Sequence, residues 1–461
     1  MSLQGKTVLV LGLGESGLAM AQWLTRQGAR VRVADSRNEP PHAAEMKRSA
    51  PGATLLIGSF NEELLDGVEL LGLSPGLSLN EPVVAAAARR GIPVVGEIEL
   101  FAGALRERGL RDRCRVIAIT GTNGKTTTTA MAGALCRAAG KMTAVAGNIG
   151  PAALSALMAC MDAGKLPEVW VLELSSFQLE TTVSLEADAA AVLNVTDDHL
   201  DRYAGLDDYA AAKARIFAGS GAQVLNRQDV RVMDMALADR RRLTFGRDAP
   251  VGAEDFGLAD GWLMLGSERL MRSDELAVSG LHNAANALAA LALCRAIGLP
   301  MAPLVPALRE FQGLPHRVER IAEINGVAWY DDSKGTNVGA TVAALEGLGR
   351  KVVLIAGGDG KGQDFSPLGP ALANHARALV LIGRDAMYIE AAVADCGVPI
   401  IHAQEMDQAV RQAAVAARAG DAVLLSPACA SFDMFRDYVH RAEVYSLAVR
   451  ELAEHRLKEA S

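Results

Sequence analysis

Two glycine-punctuated segments hold the residue types that could bind phosphate. Gly12-Leu13-Gly14-Glu15-Ser16-Gly17 follows the apolar run Thr7–Leu11 and precedes a segment of helical pattern. Glycines permit a tight turn and a close approach of backbone to a pyrophosphate, and the N-terminus of the next helix attracts it. Asp35 ends the following β-type run, about 18 residues after Gly17, where a ribose-binding acid would sit. This pattern leaves open NAD or NADP, another nucleotide diphosphate, or glycines that serve packing alone. The second segment is sharper: Thr120-Gly121-Thr122-Asn123-Gly124-Lys125-Thr126-Thr127 lies between a β-branched run and an alanine-rich one. Backbone N–H groups in such a loop cradle phosphates, Lys125 reaches the β/γ oxygens, and the Thr126 hydroxyl can hold Mg²⁺. The spacing GxxGKT is about two residues shorter than the usual GxxxxGKS/T, so the loop is a variant of that pattern.

These loops need sheets to hold them, and the chain supplies alternating strands and helices throughout. Thr7–Leu11, Arg30–Ala34, Ala53–Ile57, Glu69–Leu73 and Pro93–Val95 read as strands, with Leu18–Arg26 and Pro82–Arg90 as helices. Gly96–Arg113 reads as a linker helix. A second unit opens at Val116–Thr120, continues into a helix over Lys125–Ala138, and has strands at Thr143–Ala146, Val169–Leu174, Ala189–Asn194 and Gln223–Leu225. Leu243–Leu270 looks like a small antiparallel excursion, His282–Ile297 is a helix, and the proline-containing segment Leu299–Pro315 ends the unit. The third unit begins with a hairpin about Asn325-Gly326 and has strands at Lys351–Ala356, Ala378–Ile382, Pro399–Ile401 and Ala422–Leu425. Strand–helix alternation implies mostly parallel sheets, hence an α/β fold. The expected boundaries are 1–98, 99–313 and 314–461. With roughly 150 residues per domain, the 461-residue length agrees with about three domains.

Composition narrows the function classes. Half the residues are hydrophobic and 22% are charged, as in a globular protein with true cores. A net charge of −8 and only 4% aromatics argue against a nucleic-acid surface or base-stacking platform. The six cysteines (114, 136, 160, 294, 396 and 429) form no CxxC knuckle and read as reduced thiols. No apolar run approaches the roughly 18 residues of a membrane span, and the N-terminus lacks signal-peptide features, so a cytoplasmic protein is expected.

Thr120–Thr127 resembles the ATP loop of the Mur ligase family, the amide ligases of peptidoglycan precursor synthesis. The resemblance continues in order through Gly147-Asn148-Ile149-Gly150, Leu172–Leu179, Asn194–Asp201, Lys213, His282-Asn283, Leu314–Arg317 and Asp332-Ser333-Lys334. It covers essentially the whole chain. GLGESG, ELSSFQLE, Gly357–Lys361 and Ser426–Ser431 are similar to the branch of the family that adds D-glutamate.

The resemblance implies a Rossmann-like N-terminal domain, a central P-loop-type ATPase domain and a Rossmann-like C-terminal domain. It further implies ATP and Mg²⁺ as cofactors, UDP-N-acetylmuramoyl-L-alanine and D-glutamate as partners, and a monomer. Glu15, Ser16, Asp35 and Ser36 would then lie at the UDP-sugar, and Asn148, Ser175 and Gln178 at the sugar-peptide or acyl group. Glu173, at the end of a strand, and His199, following another, suit metal ligation at the sheet's C-terminal edge. Lys213 matches a lysine that the family carbamylates into an anionic oxygen ligand. Asn283 and Asn286 share one helix face and resemble adenine contacts. Arg317, Asp332 and Lys334 match positions that close over ATP, and His316 is similar to a residue near the UDP-sugar or the domain junction. Thr336, Lys361, Ser431 and Phe432 match the D-glutamate pocket; Tyr438 has no assigned role. The alternatives are a family member that adds another amino acid, an NAD-dependent oxidoreductase, and a non-catalytic nucleotide-binding regulator.

Overall fold

The computed structural model describes residues 3–198, 202–278 and 280–459. Three sheets organise it. In the first, β1 (Thr7–Leu11), β2 (Arg30–Asp35), β3 (Thr54–Ile57), β4 (Leu70–Leu73) and β5 (Val94–Val95) run parallel in the order β3-β2-β1-β4-β5. Val8 to Leu11 are fully buried, as a strand covered by helices on both faces requires. The helix Glu15–Arg26 starts directly after the glycine turn, three residues earlier than the sequence pattern implies. Gly17 has to be glycine: a Cβ there would lie 1.9 Å from the Gly12 carbonyl oxygen, so the helix start and the loop could not pack.

The central sheet uses β6 (Arg115–Thr120), β7 (Thr143–Gly147), β8 (Val169–Glu173), β9 (Ala189–Val192), β10 (Ala222–Asn226), β11 (Arg242–Phe245), β12 (Phe256–Ala259), β13 (Trp262–Leu265) and β14 (Glu268–Arg272). Their order is β14-β13-β12-β11-β10-β9-β6-β8-β7, parallel from β7 through β12, with β13 and β14 added antiparallel. The antiparallel excursion is therefore present. The helices Lys125–Ala138 and Leu281–Ala296 pack on this sheet, and the second is buried along nearly its whole length.

The segment Leu299–Pro315 differs from expectation, since Met301–Glu310 is helical despite Pro306 inside it. Pro303 lies in the first turn, where the N–H has no intrahelical partner anyway. Pro306 forfeits one bond, which the complete burial of Leu304 and near-complete burial of Leu308 offset. The helix Ala153–Asp162 also escapes the sequence pattern, because its almost continuous apolar run lacks a polar face.

The third sheet has β15 (Glu319–Ile324), β16 (Val327–Asp331), β17 (Val352–Gly357), β18 (Ala376–Ile382), β19 (Ile400–His402) and β20 (Ala422–Leu425) in the order β15-β16-β20-β17-β18-β19. β15 and β16 form the expected hairpin, with Asn325 and Gly326 both at positive φ, and all other pairs are parallel. A 22-residue helix, Tyr438–Glu459, closes this unit. All six cysteines are free. No helix among the described residues is long and apolar enough to cross a membrane.

Candidate active site

The glycine–lysine loop leaves β6 at its C-terminal end, where ligands of open parallel sheets bind. Gly121 and Gly124 have φ of 152° and 83°, which L-residues with side chains rarely adopt. A Cβ on Gly124 would also lie 2.3 Å from the Asn286 side-chain oxygen, so the loop and the Leu281–Ala296 helix are in intimate contact. Asn286 accepts from the Thr128 hydroxyl (3.3 Å) and donates to Asn283 (3.2 Å). The two asparagines thus line the cavity beside the loop and also brace it.

That cavity, about 1170 Å³, lies between the central sheet edge and the third unit. Lys125 donates from Nζ to the carbonyls of Gly121 and Thr122, both at 2.7 Å. Lys213, 1% exposed, donates to the same Gly121 oxygen at 2.9 Å and lies 4.1 Å from the Tyr209 ring centroid. Burial pushes the Lys213 ammonium well below the ordinary lysine range, and Lys125 pushes further in that direction, with Asp198 opposing. Lys125 itself is lowered by burial, against the pull of Glu173 and Asp198. Two cationic groups thus converge on one carbonyl, and repulsion between them disfavours charging both.

Glu173 ends β8 and is 1% exposed. Its Oε1 accepts from Asn148 Nδ2 at 2.7 Å, while its buried Oε2 has no partner. A buried carboxylate oxygen without a partner is costly unless a cation or donor arrives, and the Thr126 hydroxyl is the metal-binding type of group on the adjoining loop. This donor chemistry fits a hard divalent cation. His199 lies outside the described residues.

The third unit supplies the opposite wall. Arg317 Nη2 donates to Thr126 Oγ1 at 2.5 Å, and burial lowers its guanidinium pKa while Glu173 and Asp332 oppose. Asp332 accepts from Ser426 Oγ at 2.7 Å and is pushed up to about 7, chiefly by burial. Lys334 is lowered to about 8, first by burial and then by Arg317. Its Nζ lies 3.7 Å from the Tyr438 ring centroid, a cation–π contact. His316 Nδ1 lies 2.7 Å from Asp331 Oδ2, and the ring meets Tyr438 edge-on. Thr336 and Lys361 line the same cavity.

Several of the expected residues bond protein groups in this structure. Asp35 is 2% exposed and both of its oxygens are engaged, by the Leu13 N–H at 2.7 Å and by Arg37. Arg37 holds its carboxyl down at about 2. Its carboxylate closes the glycine turn rather than standing open to a ribose; Ser36 beside it is exposed. Glu15 accepts from the Ala152 N–H at 3.1 Å, bridging the first and second units, and Ser16 is half-buried behind it. Ser175 and Gln178 cap each other across the first turn of the Ser176–Glu180 helix. Ser431 is buried, whereas Phe432 is 72% exposed.

Two residues without a role expected from the sequence also face the cavity. Asp198 acts electrostatically on both Lys125 and Lys213, and its signal was the Asp197-Asp198 pair beside His199. Tyr438 lines the wall, and no local pattern marks a tyrosine that begins a helix as the partner of a lysine about a hundred residues earlier.

The fold and the site define a three-unit α/β nucleotide-binding protein with a short phosphate loop facing a separate C-terminal unit. Residues 6–96 match the Mur ligase MurD-like N-terminal domain, 119–294 the Mur ligase middle domain, and 316–429 the Mur ligase glutamate ligase domain. The chain belongs to the Mur ligase family. It is 60% identical over 458 residues to the UDP-N-acetylmuramoylalanine–D-glutamate ligase of Nitrosospira multiformis, covering 98% of this chain and 97% of that one. The enzyme of the same name from Aromatoleum aromaticum is 58% identical over 461 residues, covering 98% and 99%. In fold, the chain is similar to the UDP-N-acetylmuramate–alanine ligase of Thermotoga maritima, with a TM-score of 0.60, 20% identity and coverage of 97% and 99%.

Proposed function

We propose that this chain is an ATP-dependent carbon–nitrogen ligase that joins D-glutamate to UDP-N-acetylmuramoyl-L-alanine, giving ADP and phosphate, in peptidoglycan precursor synthesis. One observation carries the reading: a single cavity has the glycine–lysine loop on one wall and Lys334, Thr336 and Lys361 on the other. Relatives of that activity, 60% and 58% identical over almost the full chain, support it. The units are taken to break near 98/99 and 313/314. ATP and a nucleotide-sugar substrate are compounds of the cytoplasm, which supports that place of work, and the chain is taken to act as a monomer.

A carboxylate is a poor electrophile, so the reaction needs activation before an amine can attack. The alanyl carboxylate takes the γ-phosphoryl group of ATP, forming an acyl phosphate and releasing ADP. The amine of glutamate then attacks the acyl carbon, a tetrahedral intermediate collapses, and phosphate leaves with formation of the amide. Both partners of the first step are anionic, so positioning and charge neutralisation do most of the work. Lys125 supplies positive charge at the transferred phosphoryl. It lies folded onto the Gly121 and Thr122 carbonyls, from which phosphate oxygens can draw it. Arg317 and Lys334 add charge from the facing unit, and Asn148 steadies Glu173.

Thr126, Glu173, His199 and a carbamylated Lys213 would hold Mg²⁺. When bound, Mg²⁺ neutralises developing charge on the phosphoryl oxygens. Asn283 and Asn286 are assigned to the adenine end, and Asp332 to the ATP side of the closed junction. Glu15, Ser16 and Ser36, with the backbone around Asp35, are assigned to the UDP end, and Ser175 and Gln178 to the sugar-peptide. Lys361 offers a cation to a glutamate carboxylate, with Ser431 and Thr336 as hydroxyl donors.

Phosphate release with UDP-N-acetylmuramoyl-L-alanine, ATP and one of D-glutamate, L-glutamate, L-lysine or diaminopimelate tests the reading. Release is expected with D-glutamate alone, and preference for another amino acid overturns it. Calorimetry should show binding of the UDP substrate and none of NAD or NADP at comparable concentrations. Tight NAD binding that is lost in Asp35→Ala would restore the dehydrogenase alternative.

A further inference from the structure

The ATP loop and the amino-acid loop belong to different units, yet a run of hydrogen bonds through side-chain amides and the Val338 backbone joins them. Asn123, in the ATP loop, is clasped by Asn194, whose Oδ1 accepts from its N–H (2.8 Å) and whose Nδ2 donates to its carbonyl (3.0 Å). Its backbone is therefore held and its side chain is left to reach outward. Asn337 Nδ2 donates to Asn123 Oδ1 at 3.0 Å, across the junction between units. The orientation of the Asn337 amide is set by chemistry: its Oδ1 caps the ten-residue helix Val338–Gly347 by accepting from the Ala340 N–H at 2.9 Å, so the amino end must face Asn123.

The next residue continues the path. The Val338 N–H donates to Gln363 Oε1 at 3.0 Å. With its oxygen engaged, Gln363 presents Nε2 to two carbonyls, Gly360 at 3.0 Å and Ala428 at 2.8 Å. Gly360 precedes Lys361, the cation assigned to the amino acid, and Ala428 lies on the loop that ends at Ser431. Lys361 adopts a φ of 51°, unusual for a lysine, and Gly362 follows at 73°. Backbone of that kind needs outside support to persist. Gln363 supplies that support from one side, and the Asp359–Ala430 bridge supplies it from the other.

We propose that Asn337 and Gln363 are positioning residues that transmit the placement of the ATP loop to the loop carrying Lys361, so that the amino-acid pocket takes its working shape when the ATP side is docked. The proposal rests on the assignment of the two sites given above. Neither residue touches the reacting atoms. A movement of Asn123 on filling of the phosphate loop pulls on the cap of the Val338–Gly347 helix, and through Val338 on Gln363. The Gln363 end of the path rests on two backbone carbonyls, which sets loop geometry directly.

The test uses the full chain with ATP, UDP-N-acetylmuramoyl-L-alanine and D-glutamate. Asn337→Ser keeps a capping hydroxyl but is too short to reach Asn123, and Gln363→Met keeps length while removing the amide. Each is expected to raise the KM for D-glutamate about tenfold, with the KM for ATP in Gln363→Met within about twofold of wild type. The double variant should be no worse than the weaker single one, because a broken path cannot be broken twice. An unchanged KM for D-glutamate in either single variant, or a double variant that loses the product of the two effects, overturns the proposal. If Gln363→Met lowers the melting temperature markedly, Gln363→Glu, which retains the acceptor for Val338, gives the same readout. A wild-type chain that releases no phosphate with D-glutamate overturns the site assignment itself, whereas normal wild-type turnover with unaffected variants overturns the amide path alone.

Discussion

Charge at Lys213 decides what the phosphate site can hold. As an ammonium it would share the Gly121 carbonyl with Lys125 and, beside Mg²⁺, would repel the metal by several kcal/mol at about 4 Å for an effective dielectric of about 20. Burial and Lys125 both favour the neutral amine, the form that reacts with CO₂. A carbamate reverses the sign of the charge while keeping the long stem. Lys213→Ala should therefore be nearly inactive and partly restored by acetate, while Lys213→Arg should be inactive and refractory to rescue. Turnover assays across the three proteins decide this, and a wild-type rate in Lys213→Arg would reduce Lys213 to a buried structural lysine. Lys125→Ala should lose most turnover yet keep its circular-dichroism spectrum; near-normal phosphate release from the folded variant would remove the loop from catalysis.

Among the elements, the linker helix Glu97–Glu107 does most to join the first two units. Ile98, Phe101, Ala102 and Leu105 bury into a core that runs from the first sheet into the second, and Phe101 meets Trp170 edge-to-face at 5.0 Å. Glu97 at its start is 2% exposed, accepts from the Leu154 N–H, and leaves Oε2 without a partner. Burial, with Glu15 nearby, pushes its carboxyl up to about 7. A folded-state pKa above the unfolded one means that the folded chain binds the extra proton. The stability this contributes is complete below about pH 4.5 and is lost as the pH rises through about 7. Glu97→Gln keeps the acceptor without the charge. Urea denaturation should show it more stable than wild type by at most about 3 kcal/mol at pH 8 and by about 1 kcal/mol at pH 5. An equal difference at both pH values would mean that Glu97 is already ionised in the folded chain.

Across the whole molecule, the third unit is docked on the second, among the described residues, through few side-chain hydrogen bonds, Arg317 to Thr126 and Asn337 to Asn123 among them. His282 adds a packed contact: its ring lies against Gly280 and Gly347, and burial lowers its pKa to about 4, so it stays neutral there. An interface held by so few bonds can open and close during turnover. Arg317→Ala removes a charge-assisted bond at the phosphate loop. It should raise the KM for ATP about tenfold and increase the radius of gyration in small-angle scattering. An unchanged scattering curve would place the hold on closure elsewhere.

Much of this site was readable one segment at a time. Gly12–Gly17 and Gly121–Thr127 mark turns between a strand and a helix because backbone freedom and the following helix are properties of neighbouring residues, and β6 and the Lys125–Ala138 helix lie where those residues imply. The hairpin at Asn325-Gly326 follows from local turn chemistry in the same way. Side chains with more than one available partner were not readable. Asp35 takes the Leu13 N–H from the strand-to-helix turn of another segment as well as its neighbour Arg37. Tyr438 reaches Lys334, and Gln363 reaches Ala428, only because parallel strands far apart in sequence end at one sheet edge. Backbone conformation is decided within a few residues, whereas the partner of a buried polar group is decided by whichever segments the fold brings within about 3 Å, and that distance exists only in the folded chain.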